Sequence, residues 1–225
     1  MQTTSNPRYL LFFGMLVTAL MPIAILAQYR LMPLNHLMNV SVTAISYPLL
    51  CISIDIIAEI YGFKTSRKIL WMAFICCSIF CSILYLFSML PTPTPLHSSY
   101  TLLYNKEFLH LPRVYMSDSI ALFLAQYLNV YFFGLLHTYF HGKYFLLRSL
   151  LASLTSDALG ATFSLFIDYP HANFSRTYLV KMSMEEVILS HLIELLIIPI
   201  AILTIRFLRT VEPTTILGTT YNPFR

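Results

Sequence analysis

The sequence predicts an all-α fold, a polytopic integral membrane protein with six transmembrane helices and both termini in the cytoplasm. Composition is the first reason, because 57% of the 225 residues are apolar and only 11% are charged, against about 25% charged residues in a soluble domain. The second reason is that the apolar residues form runs of about 20, the length that crosses the hydrocarbon core of a bilayer as a helix. The third is the distribution of basic residues between the connections.

Six apolar runs are long enough to span a membrane, and together they make one transmembrane domain over residues 1–225. The first run is too long for the apolar region of a cleaved signal peptide, and Ile25 stands where a cleavage site needs a small residue. Residues 91–117 form a longer external loop, whose alternating prolines favour an extended chain. The spans cover approximately residues 9–27, 36–61, 69–90, 118–137, 144–167 and 185–207.

The basic residues favour the side of the membrane on which both termini lie. If that side is the inside, its segments hold nine Lys and Arg residues and the outer segments hold five. The compact "KTSRK" after the second span is the clearest inner cluster. Because cytoplasmic loops carry an excess of Lys and Arg, this bias predicts cytoplasmic termini.

Several chemistries lack the residues that they need. The chain contains no G-x-x-x-x-G-K-[ST] and no G-x-S-x-G, so it has neither a phosphate-binding loop nor a serine-hydrolase elbow. All four cysteines lie in apolar runs at spacings that fit no zinc site. His137 and His141 are four residues apart but lack a third ligand. We therefore expect no metal, no cofactor and no enzymatic activity.

Four carboxylic acids lie within the apolar runs: Asp55, Glu59, Asp157 and Glu194. Each costs on the order of 2.5–3.5 kcal/mol if it is charged near the centre of a bilayer. No basic residue lies deep in a span to neutralise them, because Arg148 is near the start of the fifth. We therefore expect the acids to face one polar cavity or to be protonated.

Helical spacing places the two acids of the second span together. Asp55 and Glu59 are separated by four residues, so both side chains project from one face. Pro48 lies two turns before Asp55 and can bend the helix around a cavity. Two simpler interpretations stay open: Glu59 only reaches the cytoplasmic interface, and Asp55 makes a structural hydrogen bond.

Polar residues in the fourth and fifth spans extend the candidate site. Gln126 and Asn129 share a helical face, which serves either a ligand or hydrogen bonds between helices. In the fifth span an acid lies within a stripe of small and polar residues. Such a stripe is typical of close helix packing, but packing does not explain the acid. The stripe consists of Ser153, Asp157, Gly160 and Ser164.

Buried acids around a cavity favour a solute carrier, because a polar substrate or a coupling proton requires such groups. A non-catalytic subunit of a membrane complex is the alternative from another class. Intramembrane proteolysis by Asp55 and Asp157 is a weaker alternative. The contexts "SIDII" and "TSDAL" lack the glycine–aspartate setting of such enzymes.

Four stretches carry a family resemblance: "SYPLLCISIDIIAEIYGFKTSRKILW", "LAQYLNVYFF", "LLRSLLASLTSDALGATFSLF" and "IELLIIPIAILTIRFLRTVE". In this order they resemble the queuosine precursor transporter family, YhhQ-type six-helix proteins of the bacterial inner membrane that are also catalogued as vitamin uptake transporters. The resemblance covers residues 36–212 outside the long third connection. Its most specific part is D-x-x-x-E-x-Y-G followed by a basic turn.

The resemblance implies import of a queuosine precursor for tRNA modification: 7-cyano-7-deazaguanine, 7-aminomethyl-7-deazaguanine or queuine. Uptake of another vitamin-like or nucleobase solute is the alternative. The implied partners are a small 7-deazapurine and membrane lipid, with no nucleic acid bound directly, and either a homo-oligomer or a separate energising module. The candidate substrate-binding residues are Asp55, Glu59, Gln126, Asn129, Ser156, Asp157 and Glu194.

Two positions depart from the family pattern, since Asn129 stands where an acid is common and Ser190 where a lysine is common. A 7-deazaguanine presents a ring N–H beside an exocyclic amino group, and one carboxylate can accept both hydrogen bonds. We expect Asp157 or Asp55 to be that acceptor. Energy coupling stays open between proton-linked, facilitated and externally energised transport. The candidate aromatic stacking faces are Tyr47, Tyr127 and Phe163.

Overall fold

The computed structural model describes residues 8–28, 30–35, 38–90, 99–167 and 176–212. This part of the chain forms helices and one antiparallel hairpin, and five of the helices, all but the fifth, contain a segment long and apolar enough to cross a membrane. The predicted multi-pass helical class is confirmed. Six spans and cytoplasmic termini stay predictions. The elements are α1 Arg8–Gln28, β1 Leu31–Asn35, β2 Met38–Ser41, α2 Thr43–Tyr61, α3 Phe63–Ser88, α4 Ser99–Tyr139, α5 Phe145–Ile167 and α6 Arg176–Val211.

The helix that carries two acids is the one most enclosed by protein. Within its apolar segment 78% of α2 is buried, against 28% in each of α1, α3 and α6. The outer helices instead expose large apolar side chains such as Leu11, Met72 and Leu196. These side chains suit contact with lipid, whereas α2 packs against α1, α3, α4 and α6. Its acids therefore face neighbouring helices.

The two ends of the bundle differ in how the helices are connected. At the hairpin end, α1 ends, the β1–β2 hairpin follows and α2 begins. At the turn end, α2 ends at Tyr61 and α3 begins at Phe63, with Gly62 between them. The hairpin is held to α1, because Ser41 Oγ donates to the Ala27 carbonyl at 3.3 Å.

The predicted second span begins too early. Residues 38–41 pair with β1, and α2 begins only at Thr43, while residues 36 and 37 lie outside the described part of the chain. The strand "MNVS" has only four residues, too few for a periodicity that separates strand from helix. The Ser41 hydroxyl accepts a hydrogen bond from the Thr43 N–H at 3.1 Å, which marks the change from strand to helix.

Within the predicted connection over residues 91–117, helix α4 begins at Ser99, although its segment apolar enough to cross a membrane begins at Asp118; residues 91–98 lie outside the described part. Hydropathy marks only the length of chain that suits lipid. A helix extends beyond that length wherever the neighbouring residues also favour helical structure. For the same reason α6 begins at Arg176, ahead of the predicted start at residue 185.

Small residues bring α4 and α5 close together. A Cβ atom built on Gly160 would lie 3.1 Å from the Cβ of Ala125. This distance supports the packing interpretation of the small-residue stripe at Gly160. The side chain of Ser164, the last member of the stripe, lies outside the description.

Gly62 provides the first prediction, because its φ of 86° and ψ of 160° lie in a region that is essentially restricted to glycine. Gly62→Ala should lower the free energy of unfolding by about 1–3 kcal/mol through backbone strain. No atom lies within 4 Å of the added Cβ, so steric contact does not contribute. Thermal unfolding of the purified protein in detergent measures the effect.

Gly14→Ala is the matched control. Its Cβ would meet only Ile69 Cδ1 at 3.9 Å, an ordinary contact inside a helix. This variant should be as stable as the wild type or slightly more stable. Equal destabilisation by the two substitutions would contradict the assignment of strain to Gly62.

Candidate functional site

A cavity of about 110 Å³ lies between α1, α2, α4, α5 and α6, towards the hairpin end. One water molecule needs only ~10–15 Å³ of such space, so the cavity has room for a small solute. Gln28 at the end of α1 and Thr43 at the start of α2 line it. It is partly open to its surroundings.

Carboxyl groups dominate the charge of the cavity wall. Asp118 of α4, Asp157 of α5 and Glu186 of α6 all line it, and no Lys, Arg or His occurs among its described lining residues. Tyr47 of α2 adds an aromatic ring, and Ser190 adds a hydroxyl. The wall therefore suits a solute that donates hydrogen bonds or carries positive charge.

Asp157 is a cavity residue with an unused acceptor. It is only 7% exposed, and its Oδ1 atom has no hydrogen-bond partner within the described part of the chain. The other oxygen, Oδ2, lies 3.5 Å from Nδ1 of His191. The Tyr47 hydroxyl approaches Asp157 and Ser156 without a well-aligned hydrogen bond. A buried carboxylate oxygen without a donor is placed to receive one from a ligand.

Asp55 and Glu194 belong to a closed polar network between the cavity and the turn end. Asp55 is fully buried, and its two oxygens accept from Asn129 Nδ2 at 3.1 Å and from Ser149 Oγ at 2.5 Å. Glu194 Oε1 lies 3.2 Å from the same Ser149 hydroxyl, and Oε2 accepts from Ser153 Oγ at 2.7 Å. Four helices, α2, α4, α5 and α6, therefore meet through two acids, an amide and two hydroxyls.

The amides of α4 are only partly satisfied. Gln126 is fully buried and donates from Nε2 to Cys51 Sγ at 3.0 Å, a weak acceptor. The amide oxygens of Gln126 and Asn129 have no hydrogen-bond partner in the described structure. Ser156 donates to the Ser153 carbonyl of its own helix at 2.9 Å.

Glu59 lies in an ionic cluster at the turn end. Its Oε1 accepts from Arg209 Nη2 at 2.8 Å, and its Oε2 accepts from Arg148 Nη2 at 3.0 Å. His137 lies beside them, and its Nδ1 atom accepts from Arg148 Nη1 at 2.5 Å. Because that nitrogen accepts, the imidazole is neutral and its 3.5 Å approach to Glu59 is not an ion pair. The cluster joins α2, α4, α5 and α6.

Arg148 lies near the start of α5, as the sequence indicates, but it pairs with one of the four acids, Glu59. Arg148 has no exposed surface, and it also donates to the carbonyls of Lys143 at 2.9 Å and Gly142 at 3.3 Å. Its guanidinium carbon lies 4.9 Å from the centre of the Phe133 ring, a cation–π distance. Its position near a helix start suggested solvent, but the ends of α2 and α4 cover it.

The expected common cavity for the four acids does not form among the described residues. Only Asp157 lines the cavity, whereas Asp55 and Glu194 lie in the polar network and Glu59 lies in the ionic cluster. Of the other predicted site residues, Gln126, Asn129 and Ser156 are buried but are not among the lining residues. Substrate binding by these seven residues stays a prediction.

Two acids of the cavity wall were not predicted from the sequence. Asp118 and Glu186 stand at the predicted boundaries of the fourth and sixth spans, where acids normally face water. Because α4 and α6 begin well before those boundaries, both acids lie inside long helices. No group of three metal-ligating side chains that could hold an ion occurs in the described ranges.

Apolar helices of membrane-spanning length that enclose an acid-lined cavity define a membrane transport protein for a small solute. Residues 41–204, more than half of the chain, match the model of the family described as "Putative vitamin uptake transporter". The chain therefore belongs to this family of transporters. No curated protein and no solved structure matches it.

The second prediction concerns the ionic cluster. Glu59→Gln should lower the free energy of unfolding by about 3–5 kcal/mol, because it leaves the buried guanidinium of Arg148 without its carboxylate. Combining Glu59→Gln with Arg148→Met should recover part of this loss, since the uncompensated charge is then absent. Unfolding of the purified variants in detergent provides the measurement.

Lys181→Met is the control, because it removes an ion pair in which the Lys181 side chain is 60% exposed and 3.7 Å from Glu185. Its cost should stay below about 1 kcal/mol. If Glu59→Gln costs no more than this control, the cluster does not hold the helix ends together.

Proposed function

We propose that this chain imports a queuosine precursor across the bacterial inner membrane for tRNA modification. The carrying observation is the buried Asp157 of the cavity wall, whose Oδ1 atom has no hydrogen-bond partner in the described part of the chain. A 7-deazaguanine has a ring N–H and an amino group side by side, and a carboxylate that accepts both makes a charge-assisted contact. Tyr47 offers an aromatic face on the same cavity wall.

The charge of the wall ranks the three precursors. The described lining of the cavity has three carboxyl groups and no Lys, Arg or His side chain; the carboxyl groups belong to Asp118, Asp157 and Glu186. The protonated amine of 7-aminomethyl-7-deazaguanine compensates this charge, whereas the nitrile of the cyano compound does not. We therefore place the aminomethyl compound first, ahead of queuine and the cyano compound.

The arrangement of the two ends fits one state of an alternating-access cycle. The cavity lies towards the hairpin end, and the Glu59, Arg148 and Arg209 cluster closes the turn end. If both termini are cytoplasmic and α5 crosses the membrane as the other five helices do, the hairpin end faces the periplasm. Opening to the cytoplasm then requires Glu59 to separate from the two arginines.

Uptake of another vitamin-like or nucleobase cation is the second candidate, because the family description names vitamin uptake. The same acid-lined cavity supports it. Proteolysis by Asp55 and Asp157 has no such support, since Asn129 and Ser149 occupy both oxygens of Asp55.

The third prediction tests import and the role of Asp157. In cells that cannot synthesise the precursor, queuosine in tRNA should appear only when this chain is expressed and 7-aminomethyl-7-deazaguanine is supplied. Asp157→Asn should weaken binding by about 2 kcal/mol, roughly thirtyfold, because the amide donates where the carboxylate accepts. Queuosine is quantified in hydrolysed tRNA at several precursor concentrations.

Thr155→Ala is the control for Asp157→Asn, since its exposed side chain lies two residues away and bonds only to its own helix. Both variants must reach the membrane at equal levels. Unchanged uptake in Asp157→Asn would remove Asp157 from the site. A lack of uptake in the wild type would refute the proposed substrate.

The fourth prediction tests the preference for a cation. Glu186→Gln removes one of the wall's carboxyl groups, so it should reduce uptake of the aminomethyl compound about tenfold relative to the cyano compound. Competition between the two compounds at equal concentration measures the ratio. An unchanged ratio would mean that the wall charge does not select the substrate.

A further inference from the structure

The Ser149 hydroxyl lies between two buried carboxyl groups. Its oxygen is 2.5 Å from Asp55 Oδ2 and 3.2 Å from Glu194 Oε1, and all three side chains are almost without exposed surface. A hydroxyl has one hydrogen, so it can donate to only one of these acids. The contact with the other is favourable only if that acid carries a proton and donates to Ser149. The geometry thus accommodates one proton shared by Asp55 and Glu194.

A chain of polar groups links this pair to the cavity. Glu194 Oε2 accepts from Ser153 Oγ at 2.7 Å, and that oxygen lies 3.5 Å from Nε2 of His191. The opposite ring nitrogen, Nδ1, donates to the Val187 carbonyl at 2.8 Å and lies 3.5 Å from Asp157 Oδ2. Because Nδ1 carries a hydrogen, Nε2 is free to take up a second proton, and Asp157 stabilises the resulting imidazolium.

Other titratable groups near the pair come from two of the surrounding helices. Cys51 of α2 lies within electrostatic reach of both acids, and Arg148 of α5 lies within reach of Asp55. Arg148 makes its hydrogen bonds with Glu59, His137 and backbone carbonyls. On α4 the facing side chains in the described range are the amides Gln126 and Asn129. Asp55 and Glu194 therefore have no hydrogen-bonded cation.

We propose that these residues conduct the coupling proton, so that import of each solute molecule is accompanied by one proton moving from the cavity towards the cytoplasm. The inference rests on the proposed function and adds its energy source. The path runs through His191, Ser153, Glu194, Ser149 and Asp55, and Asp157 stabilises the protonated form of His191.

The transfers balance at each step. A proton from water binds Nε2 of His191, whose side chain is 17% exposed and lies beside Asp157 of the cavity wall. The imidazolium passes it to Ser153, which gives its own hydrogen to Glu194 Oε2. Glu194 releases the hydrogen on Oε1 to Ser149, and Ser149 gives its hydrogen to Asp55. When the turn end opens, Asp55 loses the proton to the cytoplasm. The hydroxyls of Ser149 and Ser153 and the carboxyl group of Glu194 then rotate, which restores the starting arrangement of hydrogens.

Purified protein in liposomes provides the test, with a pH-sensitive dye inside and radiolabelled 7-aminomethyl-7-deazaguanine outside. The membrane potential is held at zero, and the outside is one pH unit more acidic. Coupling of one proton per solute should then support about tenfold accumulation of the probe, with acidification of the lumen during uptake. Passive trapping of an amine would drive it the other way, into the acidic compartment.

Three wild-type outcomes separate the two proposals. Accumulation with acidification supports coupling. Uptake that stops at equal concentrations, without acidification, refutes the proton path and leaves the proposed function intact. No uptake of the probe with or without the gradient refutes the proposed function and the coupling that rests on it.

Substitutions at Ser149 test whether the proton follows this path. Ser149→Ala should abolish gradient-driven accumulation while exchange of labelled for unlabelled probe continues, and Ser149→Thr, which keeps the hydroxyl, should restore accumulation. Thr155→Ala on the same helix should behave as the wild type. If Ser149→Ala does not reach the membrane, Ser153→Ala makes the same test, because it removes the hydroxyl between His191 and Glu194. Wild-type accumulation in either variant would overturn the assignment.

Discussion

The buried ion pair of Glu59 and Arg148 is the interaction on which the arrangement of the helix ends depends. A guanidinium without exposed surface has lost its hydration, and only a carboxylate and well-placed acceptors offset that cost. Arg148 finds them on α2, on α4 and in the turn before α5, and Arg209 of α6 shares the carboxylate. The ends of four helices must therefore meet at one point, which closes the turn end.

Charge compensation changes along the length of the bundle. At the turn end the carboxylate of Glu59 contacts two arginines, Arg148 and Arg209. The described wall of the cavity near the hairpin end instead has three carboxyl groups and no Lys, Arg or His side chain. Between these extremes, Asp55 and Glu194 are held by hydroxyl and amide donors alone. Basic side chains thus compensate the acid at the turn end but not those of the cavity wall. The proposed protonated solute and the proposed coupling proton would both bring positive charge to that wall.

The sequence predicted features that depend on neighbouring residues, such as the apolar length of a span. It did not predict where a helix continues beyond its apolar segment. Long apolar runs located the helices, because a membrane demands a continuous apolar length. The same measure placed Asp118 and Glu186 at span boundaries, although α4 and α6 extend past them and carry both acids into the cavity wall. The β1–β2 hairpin was missed because its strands, "LMPLN" and "MNVS", are too short for their pattern to separate a strand from a helix.

The sequence by itself determined the membrane class, the family resemblance and the presence of acids at membrane depth, since each follows from neighbouring residues. Only the tertiary structure decided which acid lines the cavity, which acids share a hydroxyl and which acid meets arginine. Those choices depend on contacts between distant segments: Asp55 with Ser149, 94 residues apart, and Glu59 with Arg209, 150 residues apart. Helical periodicity predicts the face on which a side chain lies, but not which helix packs against that face.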